Sequence, residues 1–167
     1  MLMLILFRSL VKLDNKLYIY YIIMSEKWSI PTWNFFHTLA EKINNTFYLT
    51  NTQTILNLIK RICSNLPCPE CRAHASLYMS RISINNVKTK EDFKIMLFAF
   101  HNIVNSRLGK PLFKKENLIK YKNGRLDVIF SLFISGFIHT YAKTLYAGNL
   151  SQEGKRKIIG KQIATWC

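Results

Sequence analysis

Residues 89–111 read TKEDFKIMLFAFHNIVNSRLGKP, a single helix written out with both of its ends. Thr89, followed three residues later by Asp92, has the form of a capping box, in which side-chain oxygens satisfy the free N–H groups of a first turn. Phe93, Met96, Leu97, Phe100 and Val104 then recur at helical spacing and form one apolar stripe. Gly109 and Pro111 stop the helix in the usual order. Near its end His101, Asn105 and Leu108 share a face at i, i+4 and i+7, with Asn102 beside them. Buried imidazole and carboxamide groups are costly unless they are hydrogen-bonded, so this face predicts a flat, polar partner. A capped helix end with solvated asparagines would explain His101 or Asn105 singly, but not the whole string.

Upstream, Ser29, Pro31 and Thr32 have the character of a helix start. Trp33, Phe36, His37 and Ala40 follow at helical spacing. A polar stretch from Asn44 to Thr52 separates this helix from a second, which carries Ile55, Leu58, Ile59 and Ile62 and ends before Pro67. Pro69 opens a third helix, which runs toward Met79. Four helices of ordinary length with short connections predict an all-α four-helix bundle. Beyond Pro111 a basic linker leads to residues 126–147, of which Val128 to Ala142 carry no Asp, Glu, Lys or Arg. That run is shorter than the roughly 20 residues a spanning helix needs. An additional C-terminal helix packed on the bundle is the expectation.

Lys and Arg number 24 against nine Asp and Glu, for a net charge of +15. Such a balance raises nucleic acid or an anionic membrane as a partner. The basic residues are scattered, however, without a run of five or six like charges, and nucleic acid binding is not the expected main function. In residues 1–23 two apolar pieces are interrupted by Arg8, Lys12, Asp14 and Lys16. This segment lacks the order of a secretory signal, so secretion is not expected. Translation from Met24 and a weak membrane-surface anchor are the two readings of it. The expected division is an extension over 1–23, a main domain over 24–125, and a C-terminal helix with a basic tail over 126–167.

Four cysteines, Cys63, Cys68, Cys71 and Cys167, are too few for a disulfide-stapled scaffold of this length. Cys68-Pro69-Glu70-Cys71 therefore points to redox or metal chemistry. Two intervening residues at a helix start let the sulfurs meet. The positive helix terminus, with Arg72 and His74 nearby, favours a thiolate at Cys68. Cys68 is then the sulfur that exchanges with an incoming dithiol, and Cys71 faces the electron acceptor. The competing reading is a zinc-stabilised helical binding module using Cys63, Cys68, Cys71 and His74. Cys68, Cys71 and His74, at i, i+3 and i+6, spread over about 9 Å of one helix, too far for one ion to reach all three. No metal ligands are assigned. A thioredoxin-type motif would need a βαβ context, and the sequence has no strand alternation.

Three blocks, in order, resemble the Erv/ALR family of FAD-linked sulfhydryl oxidases. The first is Trp28-Ser29-Ile30-Pro31-Thr32-Trp33 with His37. The second, Leu66-Pro67-Cys68-Pro69-Glu70-Cys71-Arg72-Ala73-His74, is most similar to the forms carried by large cytoplasmic DNA viruses. The third, and most specific, is the His101–Pro111 string. The resemblance covers residues 26–122 and implies a four-helix bundle binding FAD, commonly as a homodimer. It implies Cys68 and Cys71 as the catalytic pair, with O2 as final acceptor and hydrogen peroxide as product. It also implies a cofactor site lined by Trp33, His37, His74, His101, Asn102, Val104, Asn105, Leu108 and Lys110, with Trp28 close by. Tyr121 stands near the place of a later aromatic that packs on the cofactor. Lys110 and Arg107 are chemically suited to phosphate oxygens. The chain has no Gly-x-Gly-x-x-Gly, and this family does not need one.

Many members of the family carry a second, shuttling cysteine pair, whereas only Cys63 and Cys167 remain here. Cys63 falls on the second helix pattern and is expected to be a small buried apolar residue. The immediate dithiol substrate is then expected to be a separate small redox carrier. The viral resemblance implies host cytoplasm or virion as the location.

Overall fold

The computed structural model describes residues 27–146, with side chains described as far as residue 137. The readings of residues 1–23, of Cys167 and of the basic tail lie outside the described residues. The described chain is helical without strands: α1 (27–42), α2 (Asn45–Cys63), α3 (Pro69–Ser80), α4 (Lys90–Arg107), a short α5 (Ile119–Lys122) and α6 (Leu126–Tyr146), with 3-10 turns at Ile84–Asn86 and Lys115–Leu118.

α1 to α4 enclose one core. α1 contributes Phe36 and Ala40, α2 Ile55, Leu56, Ile59 and Ile62, α3 Ala75 and Met79, and α4 Phe93, Met96, Leu97 and Phe100, all buried. α4 follows its sequence closely. The Thr89 hydroxyl accepts from the Asp92 N–H at 3.0 Å, and the Asp92 carboxylate accepts from the Thr89 N–H at 2.9 Å. These bonds hold the Asp92 carboxyl below its usual range. Gly109 closes the helix at φ +63°, a left-handed conformation natural to glycine.

Two boundaries differ from the sequence expectation. The polar stretch Asn44–Thr52, expected as a connection, is itself helical from Asn45 and joins the apolar part of α2 across a kink at Asn51. Asn44 caps it, its side-chain oxygen accepting from the N–H groups of Thr46 and Phe47. Tyr48 anchors it, fully buried, donating its hydroxyl to the Val87 carbonyl at 2.7 Å. The change of backbone angle at Asn51 marks where this polar half meets the apolar half. α1, in turn, is already helical at residue 27, so Pro31 lies inside it rather than at its start. Pro31 has no N–H to offer the Lys27 carbonyl. Gly136 of α6 packs against that same carbonyl, where a Cβ would collide with it.

α6 is the additional helix expected from the sequence, and it docks on α1. Phe133 stacks on Phe35 with ring centroids 4.8 Å apart, and Phe137 meets Trp28 edge to face at 6.5 Å. Among the described residues no helix is long and apolar enough to cross a membrane.

Candidate functional site

Cys68 is the N-cap of α3, and its sulfur accepts from the Cys71 N–H at 3.2 Å. Pro69 follows in the first turn, where a missing N–H costs nothing. Cys68 and Cys71 are joined as a disulfide with their Cα atoms 5.2 Å apart, well inside the range that a disulfide spans. Both sulfurs are therefore engaged with each other. Among the described residues no three His, Cys, Asp or Glu side chains converge to hold a metal ion.

Cys71 lies on the wall of a cavity of about 570 Å³ between α1, α3 and the end of α4. The same wall carries Trp28, Trp33, His74, His101, Val104, Asn105, Leu108 and Lys110, eight of the ten residues that the resemblance places at the cofactor. It also carries Arg107, and it contains no carboxylate. Stacked aromatic side chains beside Lys110 and Arg107, with no carboxylate among the lining residues, suit a planar, anionic ligand, so the residues present fit FAD. Cys71, and not Cys68, is among the residues that line the cavity. Cys63 is buried in the wall as a free thiol, and burial pushes it up to about 12. It is the inert, packed cysteine that its place in the helix pattern predicts.

His37, Asn102 and Tyr121 stand behind the wall instead. The His37 Nε2 and His101 Nδ1 are 3.0 Å apart in a buried hydrogen bond. His101 in turn stacks on Trp33 at 4.0 Å and 4°. Tyr121 stacks on the far ring, His37, at 4.9 Å. Phe113, which no local pattern singles out, lies against both imidazoles, at 4.6 Å from His101 and 5.4 Å from His37. Asn102 faces this loop residue: its amide donates to the Phe113 carbonyl at 3.1 Å, and its oxygen accepts from the Phe113 N–H at 2.7 Å. Asn105 does the same for the turn, donating to the Pro111 carbonyl at 3.1 Å and accepting at its own carbonyl from the Lys110 N–H at 2.9 Å. The two asparagines thus fold the chain after Gly109 back along α4, and that return carries Lys110 and Pro111 to the cavity edge.

A further link joins the disulfide to the cavity mouth. Arg107 at the end of α4 donates to Glu70 of α3 at 3.0 Å. Sequence reasoning assigned Glu70 no role, because a pairing across 37 positions leaves no periodic signal.

The paired histidines make stability depend on pH. A hydrogen bond between two ring nitrogens needs one donor and one acceptor, which two protonated rings cannot provide. Burial, then the neighbouring His101 and Lys120, lower His37 to about 3. Burial, then Lys120 and Lys110, lower His101 to about 4. The unfolded chain therefore binds more protons below the ordinary histidine value of about 6.5. Stability is fully present above that pH and is lost as the pH falls toward the folded values. At pH 5.5 the loss is about 1.4 kcal/mol for a fully buried histidine and less for His101, which opens on the cavity. A thermal midpoint lower by roughly 4 °C at pH 5.5 than at pH 7.5 is expected. His37→Phe should flatten that slope, and a flat profile in the parent protein would contradict the neutral pair.

The Erv1 / Alr family model matches residues 30–123. The FAD-linked sulfhydryl oxidase of African swine fever virus (isolate Tick/Malawi) is 33% identical over 98 residues, 58% of this chain and 77% of that one. A protein of invertebrate iridescent virus 3, provisionally named as an FAD-linked sulfhydryl oxidase, is 35% identical over 85 residues, 50% of this chain. That match spans 57% of the iridescent virus protein's length. Sulfhydryl oxidase 2 of Mus musculus is 34% identical over 88 residues, 48% of this chain and 13% of that protein. No solved structure matches the chain. With its family model covering more than half of the sequence, including all of the Cys68–Cys71 site and the His101–Pro111 return, this chain belongs to the Erv1/Alr family.

Proposed function

We propose that this chain is an FAD-dependent thiol oxidase that turns protein dithiols into disulfides, with O2 as acceptor and hydrogen peroxide as product. The observation that carries the proposal is a Cys68–Cys71 disulfide of which Cys71 lines the wall of a basic, aromatic cavity. The similarity to viral and mouse sulfhydryl oxidases supports the cofactor and the activity.

A substrate thiolate attacks the Cys68 sulfur, breaking the Cys68–Cys71 bond and releasing Cys71 as thiolate. The second substrate thiolate then displaces Cys68. The substrate leaves with a disulfide, and the enzyme holds two reduced cysteines and the electron pair. The start of α3 stabilises thiolate at its tip, so Cys68 is both a good target and a good leaving group. Trp33 and His101 would hold the flat part of the cofactor and Lys110 its phosphates, while Arg107 is shared with Glu70. When bound there, FAD supplies the two-electron acceptor for the cysteine pair and passes the electrons to O2.

Within the same proposal the immediate dithiol is a separate small redox carrier, since only Cys63 and Cys167 remain for any internal shuttle. Full turnover of unfolded client dithiols at carrier rates would exclude it. Viral relatives support a place in host cytoplasm or virion, to be checked by fractionating infected cells. A homodimer accords with the family resemblance, and a monomeric mass by light scattering would refute it.

The decisive test is the visible spectrum of the purified protein. A flavin band that bleaches with a dithiol under nitrogen and returns in air, with peroxide released, is expected. No flavin after refolding with FAD would overturn the proposal.

A further inference from the structure

The oxidase reading leaves open which dithiol proteins the site accepts, and the charges around Cys68 bear on that. The described residues 27–146 contain six carboxylates: Glu41, Glu70, Glu91, Asp92, Glu116 and Asp127. Glu41 and Glu91 hold Lys94, Asp127 holds Arg125, and Asp92 caps α4. The one carboxylate on α3, Glu70, is paired with Arg107. Acid near the disulfide is thus already matched.

Base near it is not. Arg72 lies one turn beyond Cys68, its N–H bonded to the Cys68 carbonyl at 2.9 Å. Arg61 is exposed in the last turn of α2, where its carbonyl receives the Asn65 amide and the Ser64 hydroxyl of the loop that delivers Cys68. Neither arginine forms an ion pair with a described residue. The N-terminus of α3 adds its own partial positive charge at the same place. Arg72 thus stands four residues after Cys68 at the start of the same helix, and Arg61 at the end of α2, whose carbonyl the loop leading to Cys68 engages.

We propose that Arg61 and Arg72 form a docking rim beside Cys68 that selects dithiol partners whose cysteines are flanked by carboxylates. This deepens the oxidase reading and rests on it. Opposite charge across such a rim raises the encounter rate and fixes which cysteine is presented. The partner is an acidic segment carrying the dithiol, and a partner with basic flanks is repelled.

The test uses the full-length, flavin-loaded protein and two peptides with one dithiol core, flanked by glutamates in one and lysines in the other. Dithiothreitol serves as a small uncharged dithiol. Oxygen consumption gives kcat/KM for each. A preference of roughly tenfold for the glutamate-flanked peptide at low salt is expected. It should shrink as salt screens the rim. Arg61→Glu should leave dithiothreitol turnover and flavin content unchanged while lowering the preference. Adding Arg72→Glu should abolish or reverse it, read as a ratio between peptides so that any change in intrinsic exchange cancels. Equal kcat/KM for the two peptides, with dithiothreitol oxidised normally, would overturn the docking rim alone. Failure to oxidise dithiothreitol at all would instead overturn the oxidase reading, and the rim with it.

Discussion

Cys71→Ser is expected to cut dithiol oxidation by roughly a thousandfold or more while leaving the flavin bound. In the proposed oxidase cycle the disulfide at the start of α3 works as a unit: one sulfur would receive the substrate, and the other would be released with the electron pair. With serine at position 71, Cys68 is left without the partner that regenerates the Cys68–Cys71 disulfide. The cavity loses only one atom's worth of polarisable wall, since Trp33, His101 and Lys110 remain in place. Two readouts separate this from misfolding: retention of the flavin band, and a mixed disulfide at Cys68 when the variant is mixed with an oxidised substrate. Cys63→Ser supplies the contrast. Its thiol, pushed up to about 12 by burial, stays protonated at neutral pH and does not act as a nucleophile, so turnover should persist in whatever fraction stays folded. Near-normal turnover in Cys71→Ser would remove Cys71 from the mechanism.

Asn102→Leu should release the flavin without touching the cavity wall. Asn102 donates to the Phe113 carbonyl and accepts from the Phe113 N–H, closing a two-bond clamp on a half-buried backbone. Leucine fills similar space but leaves both backbone groups without their partner, a cost of about 2–4 kcal/mol. Phe113 then loses its seat against His101 and His37, and the return that brings Lys110 to the cavity loosens. Flavin affinity is expected to weaken by roughly tenfold to a hundredfold as that ordering is lost. A lower thermal midpoint should accompany it. Asn102→Asp keeps an acceptor for the Phe113 N–H and should fall between the two. Unchanged flavin affinity in Asn102→Leu would show that the clamp does not shape the site.

Local features of the fold were legible in the chain itself. The capping box at Thr89, the stop at Gly109 and the meeting of Cys68 with Cys71 each depend on atoms within one or two turns, so residue type and spacing specify them. Much of the conspicuous His101–Pro111 string lines the cavity, His101, Asn105, Lys110 and Pro111 among its residues. The sequence did not reveal which wall each side chain would join. His37 and Asn102 share motifs with residues that line the cavity, and the contacts they make within the fold were not legible there. Helix packing sets His37 against His101, across 64 positions, and turns Asn102 onto Phe113. Polar Asn44–Thr52 read as a break because periodicity cannot register that Tyr48 is buried against Val87 and Phe93, which α2 meets only after folding. Likewise an uncharged stretch says that a helix will be buried, and only the packing of Phe133 and Phe137 on α1 decides against what. Sequence alone therefore determined α4 with its cap and stop, the start of α3 and the Cys68–Cys71 pair, because bonds within a turn set those. Tertiary structure alone decided the cavity wall, the histidine pair and the clamp, because these need side chains from distant turns to meet at hydrogen-bond and ring-stacking distances.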